Sequence, residues 1–385
     1  MRELVAKLDQ MLDWSILPTI TQYTIDQSTT LQQIPAPTFQ EKARANYVID
    51  LYRQFDLRDL HIDSVYNAYG RLPGKNSDHP ALMVSAHTDT VFPADADLTQ
   101  RREANLIYGP GLGDNCFGLG GMLGLLAFVC GQNIVPDRDI WFVATSREEG
   151  LGDLGGIKAA YETLKSRIHS VVNLEGLAFG HIYHAGIAVR RLHITTAGAG
   201  GHSWLHYGRQ SAIHGIIQLG SRILALDPPQ APRTTYNIGM LEGGQGINVI
   251  ATSAGMWLDM RSESPQALAQ LEQQVRGHVA DLTSEDLSFQ VEVVGDRPAG
   301  SIPAEHPLVQ AGLAALAQLG VQGILETGST DANVPLADGC PAVTIGITRG
   351  GNAHRLDEYV ELGPVTDGVR QLILLALAGA GSEKL

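Results

Sequence analysis

Short apolar runs that each lead into a histidine or a carboxylate constrain this chain most. The run at 81–86 leads into His87-Thr88-Asp89 and that at 140–145 into Arg147-Glu148-Glu149. The run at 171–174 leads into Glu175, and that at 342–348 into Gly350-Gly351-Asn352-Ala353-His354. Helical patterns at about 117–130 and 155–166 separate them, and a last one follows at about 364–379. Continuous apolar runs alternating with helices predict an α/β fold: buried strands in a mainly parallel sheet with helices on both faces. Ligands of such sheets gather beyond the carboxyl ends of the strands. His87, Asp89, Glu148, Glu149, Glu175 and His354 are therefore expected at one sheet edge. A fifth segment, Gly109-Pro110-Gly111-Leu112-Gly113-Asp114-Asn115, adds Asp114 between glycine-rich turns and a helix start.

Residues 1–28 and 40–56 read as amphipathic helices. The middle of the chain reads differently. Strand patterns at 189–196, 234–241, 250–260 and 287–294 frame helical patterns at 209–226 and 265–282. The order β-α-β-β-α-β is that of a ferredoxin-like α+β unit. The expected organisation is a main domain of residues 1–185 and 298–385 interrupted by an inserted domain at 186–297.

Composition excludes several functions. Lys and Arg number 27 against 41 Asp and Glu, giving a net charge of −14 with no basic run, so nucleic acid is not an expected partner. Cys116, Cys130 and Cys340 are too few and too scattered for a disulfide framework, which points to a reducing compartment. The N-terminal MRELVAKLDQMLDW lacks the apolar core of a signal peptide, and the apolar stretch at 118–131 is short for a bilayer. A cytoplasmic protein without membrane contact is the expectation.

Two histidines and three or four carboxylates at one edge repel unless cations neutralise them. Mixed imidazole and carboxylate donors suit zinc, with manganese or cobalt as alternatives. Two metals about 3.5–4 Å apart can share a hydroxide and polarise a scissile carbonyl. Neighbouring residues in an extended loop point different ways, so one of Glu148 and Glu149 can ligate while the other faces the water as a base.

The set AHTDT (86–90), GLGDN (111–115), EEG (148–150), LEG (174–176), GHS (201–203) and GNAH (351–354) resembles the M20 family of di-zinc peptidases and deacylases. The resemblance covers nearly the whole chain. It implies a zinc-exopeptidase-like fold with an inserted lid and dimerisation domain, and two Zn2+ per subunit. In its terms His87 and Glu175 bind one zinc, Glu149 and His354 the other, and Asp114 bridges them through a cis peptide to Asn115. Glu148 is the general base acting with a metal-bridging hydroxide, and Asp89 orients His87 by accepting its other ring N–H. His202, in itself an exposed loop histidine, becomes an oxyanion-stabilising residue of a partner subunit in a homodimer. Asn248 and Arg261 match substrate-binding positions, Arg261 gripping a carboxylate or else forming a surface salt bridge. Ser329 and Asp331 lie in a 328–333 loop that is either substrate-side or a simple turn.

In this family, Glu at the position of Glu175 goes with carboxypeptidases, acylases and desuccinylases. With Arg261 it favours an amide whose amine side bears a free carboxylate. The expected substrates are small peptides, cut from an end as by a carboxypeptidase, or N-acyl amino acids. Two rivals remain. Residues 150–155 spell G-x-G-x-x-G, the outline of an NAD site, yet three carboxylates would face the pyrophosphate. A non-catalytic metal- or peptide-binding protein would have no need of Glu148.

Overall fold

Four parallel strands form the centre of the main sheet in the computed structural model, which describes residues 1–381. They are β1 (Ala81–His87), β2 (Ile140–Thr145), β3 (Ile168–Glu175) and β4 (Ala342–Gly346), side by side in the order β2-β1-β3-β4. Every residue of β1, β2 and β4 is buried, so these segments are nearly unbroken apolar runs rather than alternating ones. Antiparallel strands extend both margins. Ala68–Leu72 pairs with β2 and Arg58–Ile62 with Ala68–Leu72, while His181–Gly186 pairs with β4. Helices Phe117–Gly131 and Val365–Ala380 lie against β1, Gly155–Leu164 against β2 and Pro307–Gln318 against β4.

The chain folds as two units, Met1–Gly186 with the residues from Gly300 onward, and Ile187–Ala299. In the second unit, strands Ala188–Gly198, Thr234–Gly243, Ser253–Ser262 and Leu287–Arg297 form one antiparallel sheet. Its spatial order is second, third, first, fourth. That is the split βαβ arrangement, with helices Ala212–Leu224 and Pro265–Leu282 as crossovers. Leu192, Ile194, Leu219, Met256, Leu271 and Val275 belong to its own core. The expected strand at 250–260 is two strands. Val249–Ile250 pairs with Gly201–His202, and Ser253–Ser262 enters the sheet.

One expectation changes in the first unit. Residues 1–28 are two helices, Arg2–Met11 and Leu17–Gln32, parted by a short turn that Asp13 caps at the N–H of Ser15. Pro18 explains the restart, since proline suits the first turn of a helix and not its interior. The apolar stretch at 118–131 falls on the 15-residue helix Phe117–Gly131. Leu112–Gly131 together is long and apolar enough to cross a membrane by length and composition, but Asp114 and Asn115 are non-helical and interrupt it. Its apolar window is 89% buried, as in a core helix.

The glycines of that helix let Leu17–Gln32 approach closely. A Cβ on Gly120 would lie 2.0 Å from Ser28 Oγ and 2.8 Å from the Thr24 carbonyl oxygen. Alanine is the better helix former by about 1 kcal/mol, whereas overpacking costs about 1–3 kcal/mol. The Thr24 carbonyl is helix backbone and has little room to yield, so the clash prevails. Gly120→Ala is expected to lower the denaturant midpoint, by about 1–2 kcal/mol in stability; an unchanged or raised midpoint would contradict the close approach.

Candidate metal centre

The carboxyl ends of the central strands bring the first ligand candidates together. His87 ends β1 with Thr145 of β2 paired to it, and Glu175 ends β3 opposite Gly346 of β4. Beyond β2, Arg147 turns the chain at φ +55° and presents Glu148 and Glu149. Asp114 comes from the loop ahead of the Phe117–Gly131 helix. Its peptide bond to Asn115 is cis. The Asn115 side chain ties this loop to the end of β3, donating to the Leu174 carbonyl at 2.8 Å and accepting from Gly176 N–H at 2.9 Å.

These side chains form overlapping ligand sets. His87, Asp114 and Glu175 make one, Asp114, Glu149 and His354 a second, and His87, Glu148 and Glu149 a third, with donor atoms within 4.8 Å of one another in each. Asp114 divides its oxygens between the first two. Oδ1 lies 3.0 Å from His87 Nε2, and Oδ2 lies 2.9 Å from His354 Nε2. His354 Nε2 is also 3.1 Å from Glu149 Oε1, and His87 Nε2 is 3.6 Å from Glu175 Oε2. The mixture of imidazole and carboxylate donors, with one carboxylate facing two sets, fits a pair of divalent cations.

The electrostatics agree with that fit. Burial pushes the carboxyls of Glu149 and Glu175 up to about 7. Burial acts the same way on Asp114, but hydrogen bonds from His354 and His87 outweigh it and hold that carboxyl low. Hydrogen bonds to Asp114 and Glu149 raise His354 to about 10. Asp114 meets both imidazoles, whereas Glu149 meets only His354 and Glu175 only His87.

Asp89 stands beside His87 and has a second task. His87 Nδ1 lies 3.1 Å from the Asp89 main-chain carbonyl and 3.5 Å from its carboxylate. That carboxylate also accepts from the N–H groups of Glu148 (2.9 Å) and Glu149 (3.0 Å), and from the Thr38 hydroxyl. It thereby aims the Glu148-Glu149 pair. Glu41 accepts from Arg147 N–H in the same manner at 3.1 Å.

The remaining candidates are spread over both units. Asp331 is buried and accepts from the Thr145 hydroxyl at 2.6 Å, so it anchors the 328–333 loop to the end of β2. Burial, and then the charge of Glu148, push its carboxyl up to about 8. Ser329 is half-buried on that loop. His202, Asn248 and Arg261 belong to the second unit and are exposed. Arg261 Nε donates to Asp259 at 2.7 Å. The 150–155 segment is the turn that carries the chain from Glu149 into the Gly155–Leu164 helix, and Asp153 pairs there with Lys158.

In the sequence Asp357 and Glu358 follow His354 closely, as an exposed charge cluster would. Asp357 does pair with Arg355 in the open, but Glu358 is fully buried. It accepts from the N–H groups of Gly111, Gly113 and Asp114.

Residues 83–378 match Peptidase family M20/M25/M40. The chain belongs to that family and is a hydrolase acting on C–N bonds. Its fold is shared by solved structures of low sequence identity. The aminopeptidase PepT of Bacillus cereus is 19% identical, over 94% of this chain and 99% of that one, with a TM-score of 0.74. A tripeptidase from Staphylococcus aureus is 21% identical over 94% and 98%, with a TM-score of 0.76. An amidase of the hydantoinase/carbamoylase family from Burkholderia vietnamiensis is 17% identical over 96% and 100%, with a TM-score of 0.75. A sequence comparison with curated proteins gives no match.

Because Asp114 faces both ligand sets and His354 only one, their removal should differ. His354→Ala is expected to lose about half of the tightly held metal, and Asp114→Ala nearly all of it. Metal analysis of dialysed protein measures both, and equal losses would place Asp114 in one set only.

Proposed function

We propose that this chain hydrolyses the amide bond of small peptides, as a carboxypeptidase-like exopeptidase, or of N-acyl amino acids. The work is done at a centre of two Zn2+ ions, with Co2+ or Mn2+ as alternatives. The observation that carries the reading is Asp114, whose two oxygens face separate sets of histidine and carboxylate donors. His87, Asp114 and Glu175 would hold one ion, and Asp114, Glu149 and His354 the other. Bound metal supplies Lewis-acid polarisation of the carbonyl and lowers the pKa of water.

The chain's own residues do the rest. Glu148 takes a proton from the attacking water and passes it to the leaving nitrogen. Asp89 fixes the main chain at Glu148 and Glu149, so base and ligand keep their separate directions. Arg261 pairs with the substrate carboxylate through its guanidinium edge, assisted by Asn248, while Asp259 steadies its Nε. Ser329 borders the substrate from the loop that Asp331 anchors. A cytoplasmic setting is part of the reading, and the free cysteines support it.

The reading also includes a homodimer in which the inserted unit carries the contact. His202 stabilises the tetrahedral oxyanion in the site of a second copy. Support comes from the surroundings of His202, where Trp204, Leu205, Tyr207 and Ile247 are all exposed. Apolar surface of that kind marks a place where another protein docks.

Zinc-loaded protein should turn over members of parallel panels of dipeptides, tripeptides and N-acyl amino acids, and chelation should abolish it. Full turnover in rigorously metal-free protein would sink the metal role. Glu148→Gln should keep its metal and lose about 100- to 10,000-fold in kcat. A fall in metal content with a high residual rate would make Glu148 a ligand instead. Mixing His202→Ala with Glu148→Gln subunits should restore activity, because one site of a mixed dimer is intact. Mixed dimers verified to form yet inactive would refute the role in trans.

A further inference from the structure

We propose that Glu358 is the positioning residue of this centre. It holds the 109–114 loop in the shape that presents Asp114, and it does so through main-chain N–H groups rather than by touching metal or substrate. The inference rests on the two-metal reading above.

Glu358 is fully buried and forms no salt bridge among the described residues. A buried carboxylate is costly unless hydrogen bonds satisfy it, and here main-chain donors do so. Gly113 and Asp114 N–H donate to Oε1 at 2.6 and 3.0 Å, and Gly111 N–H donates to Oε2 at 3.1 Å. The Glu358 carbonyl accepts from Gly109 N–H at 2.9 Å. Four donors of one loop thus end on one residue.

The place of Glu358 in the chain gives this clamp its consequence. Strands Gly350–Gly351 and Tyr359–Glu361 pair with each other, and Tyr359–Glu361 also pairs with Leu106–Tyr108, which leads into the loop. His354 and Glu358 lie on the same turn-bearing segment. Asp114 meets both, its Oδ2 against His354 and its N–H against Glu358 Oε1. Two donors of one ligand set are therefore registered to each other by Glu358. Glutamine cannot replace it fully, because its single oxygen leaves an NH2 group facing a main-chain N–H.

The test is titration of metal-free protein with Zn2+ by calorimetry and with Co2+ by visible absorption. Glu358→Gln is expected to weaken metal binding at least about tenfold and to change the Co2+ spectrum. Glu358→Ala should weaken it further. Leu372→Ala, a cavity in the Val365–Ala380 helix, serves as the control for general destabilisation. It should lower the thermal midpoint while leaving affinity and spectrum as they are. Wild-type affinity and spectrum in Glu358→Gln would overturn the proposal, as would an equal loss of affinity in Leu372→Ala. If Glu358→Gln does not fold, Glu358→Asp keeps the charge but withdraws it by one methylene; a tenfold loss there supports the clamp and wild-type affinity refutes it. A wild-type chain that takes up no second metal equivalent would instead refute the two-metal reading itself.

Discussion

Repulsion among Asp114, Glu148, Glu149 and Glu175 is the constraint to which the rest of the site answers. They crowd the carboxyl edge of the sheet with two imidazoles among them. Hydrogen bonds from both imidazoles hold the Asp114 carboxyl low, while burial lifts Glu149 and Glu175 to about 7 although each has one imidazole beside it. A fold that gathers carboxylates without neutralising them leaves work for a cation, and binding one displaces the shared protons. The strands supply this crowding economically. Parallel neighbours end together, so one row of the sheet delivers His87 and Glu175 side by side.

The loops that carry the other donors are fastened in a consistent manner. Glu41 accepts from Arg147 N–H, Asp89 from Glu148 and Glu149, and Glu358 from Gly111, Gly113 and Asp114. Each fastening is a buried carboxylate on main-chain donors. A lysine or arginine placed among these carboxylates would compete with a cation for the same oxygens. Carboxylates hold the backbone and leave the field negative. Buried Arg44 conforms to the pattern, since its guanidinium reaches the Ile34 and Thr88 carbonyl oxygens.

What the sequence made legible follows from the same physics. Strands buried on both faces announce themselves as unbroken apolar runs, so β1, β2 and β4 could be read with the ligands that follow them. The marginal strands Arg58–Ile62, His181–Gly186 and Ile324–Gly328 are partly exposed and mixed in composition, and no such run marks them. The Pro307–Gln318 helix starts with a proline, but its alanines blur the apolar face that periodicity needs. Glu358 was visible only as a charge beside His354. Its partners are N–H groups almost 250 residues away in the chain, and one-dimensional pattern carries no record of which carboxylate a glycine loop will find.

His202 shows how a local hydrogen bond can prepare a side chain for the role proposed for it. Gly200 at φ +69° and Gly201 at φ +148° turn the chain just before it, in conformations that side-chain-bearing residues rarely adopt. The Trp204 N–H then donates to His202 Nδ1 at 3.1 Å. A ring nitrogen that accepts carries no proton, so in the neutral imidazole the proton sits on Nε2. The outward end of the ring is thereby a donor. An oxyanion requires an N–H donor that is in place before the charge develops, and the tautomer set by Trp204 would provide one in the role proposed.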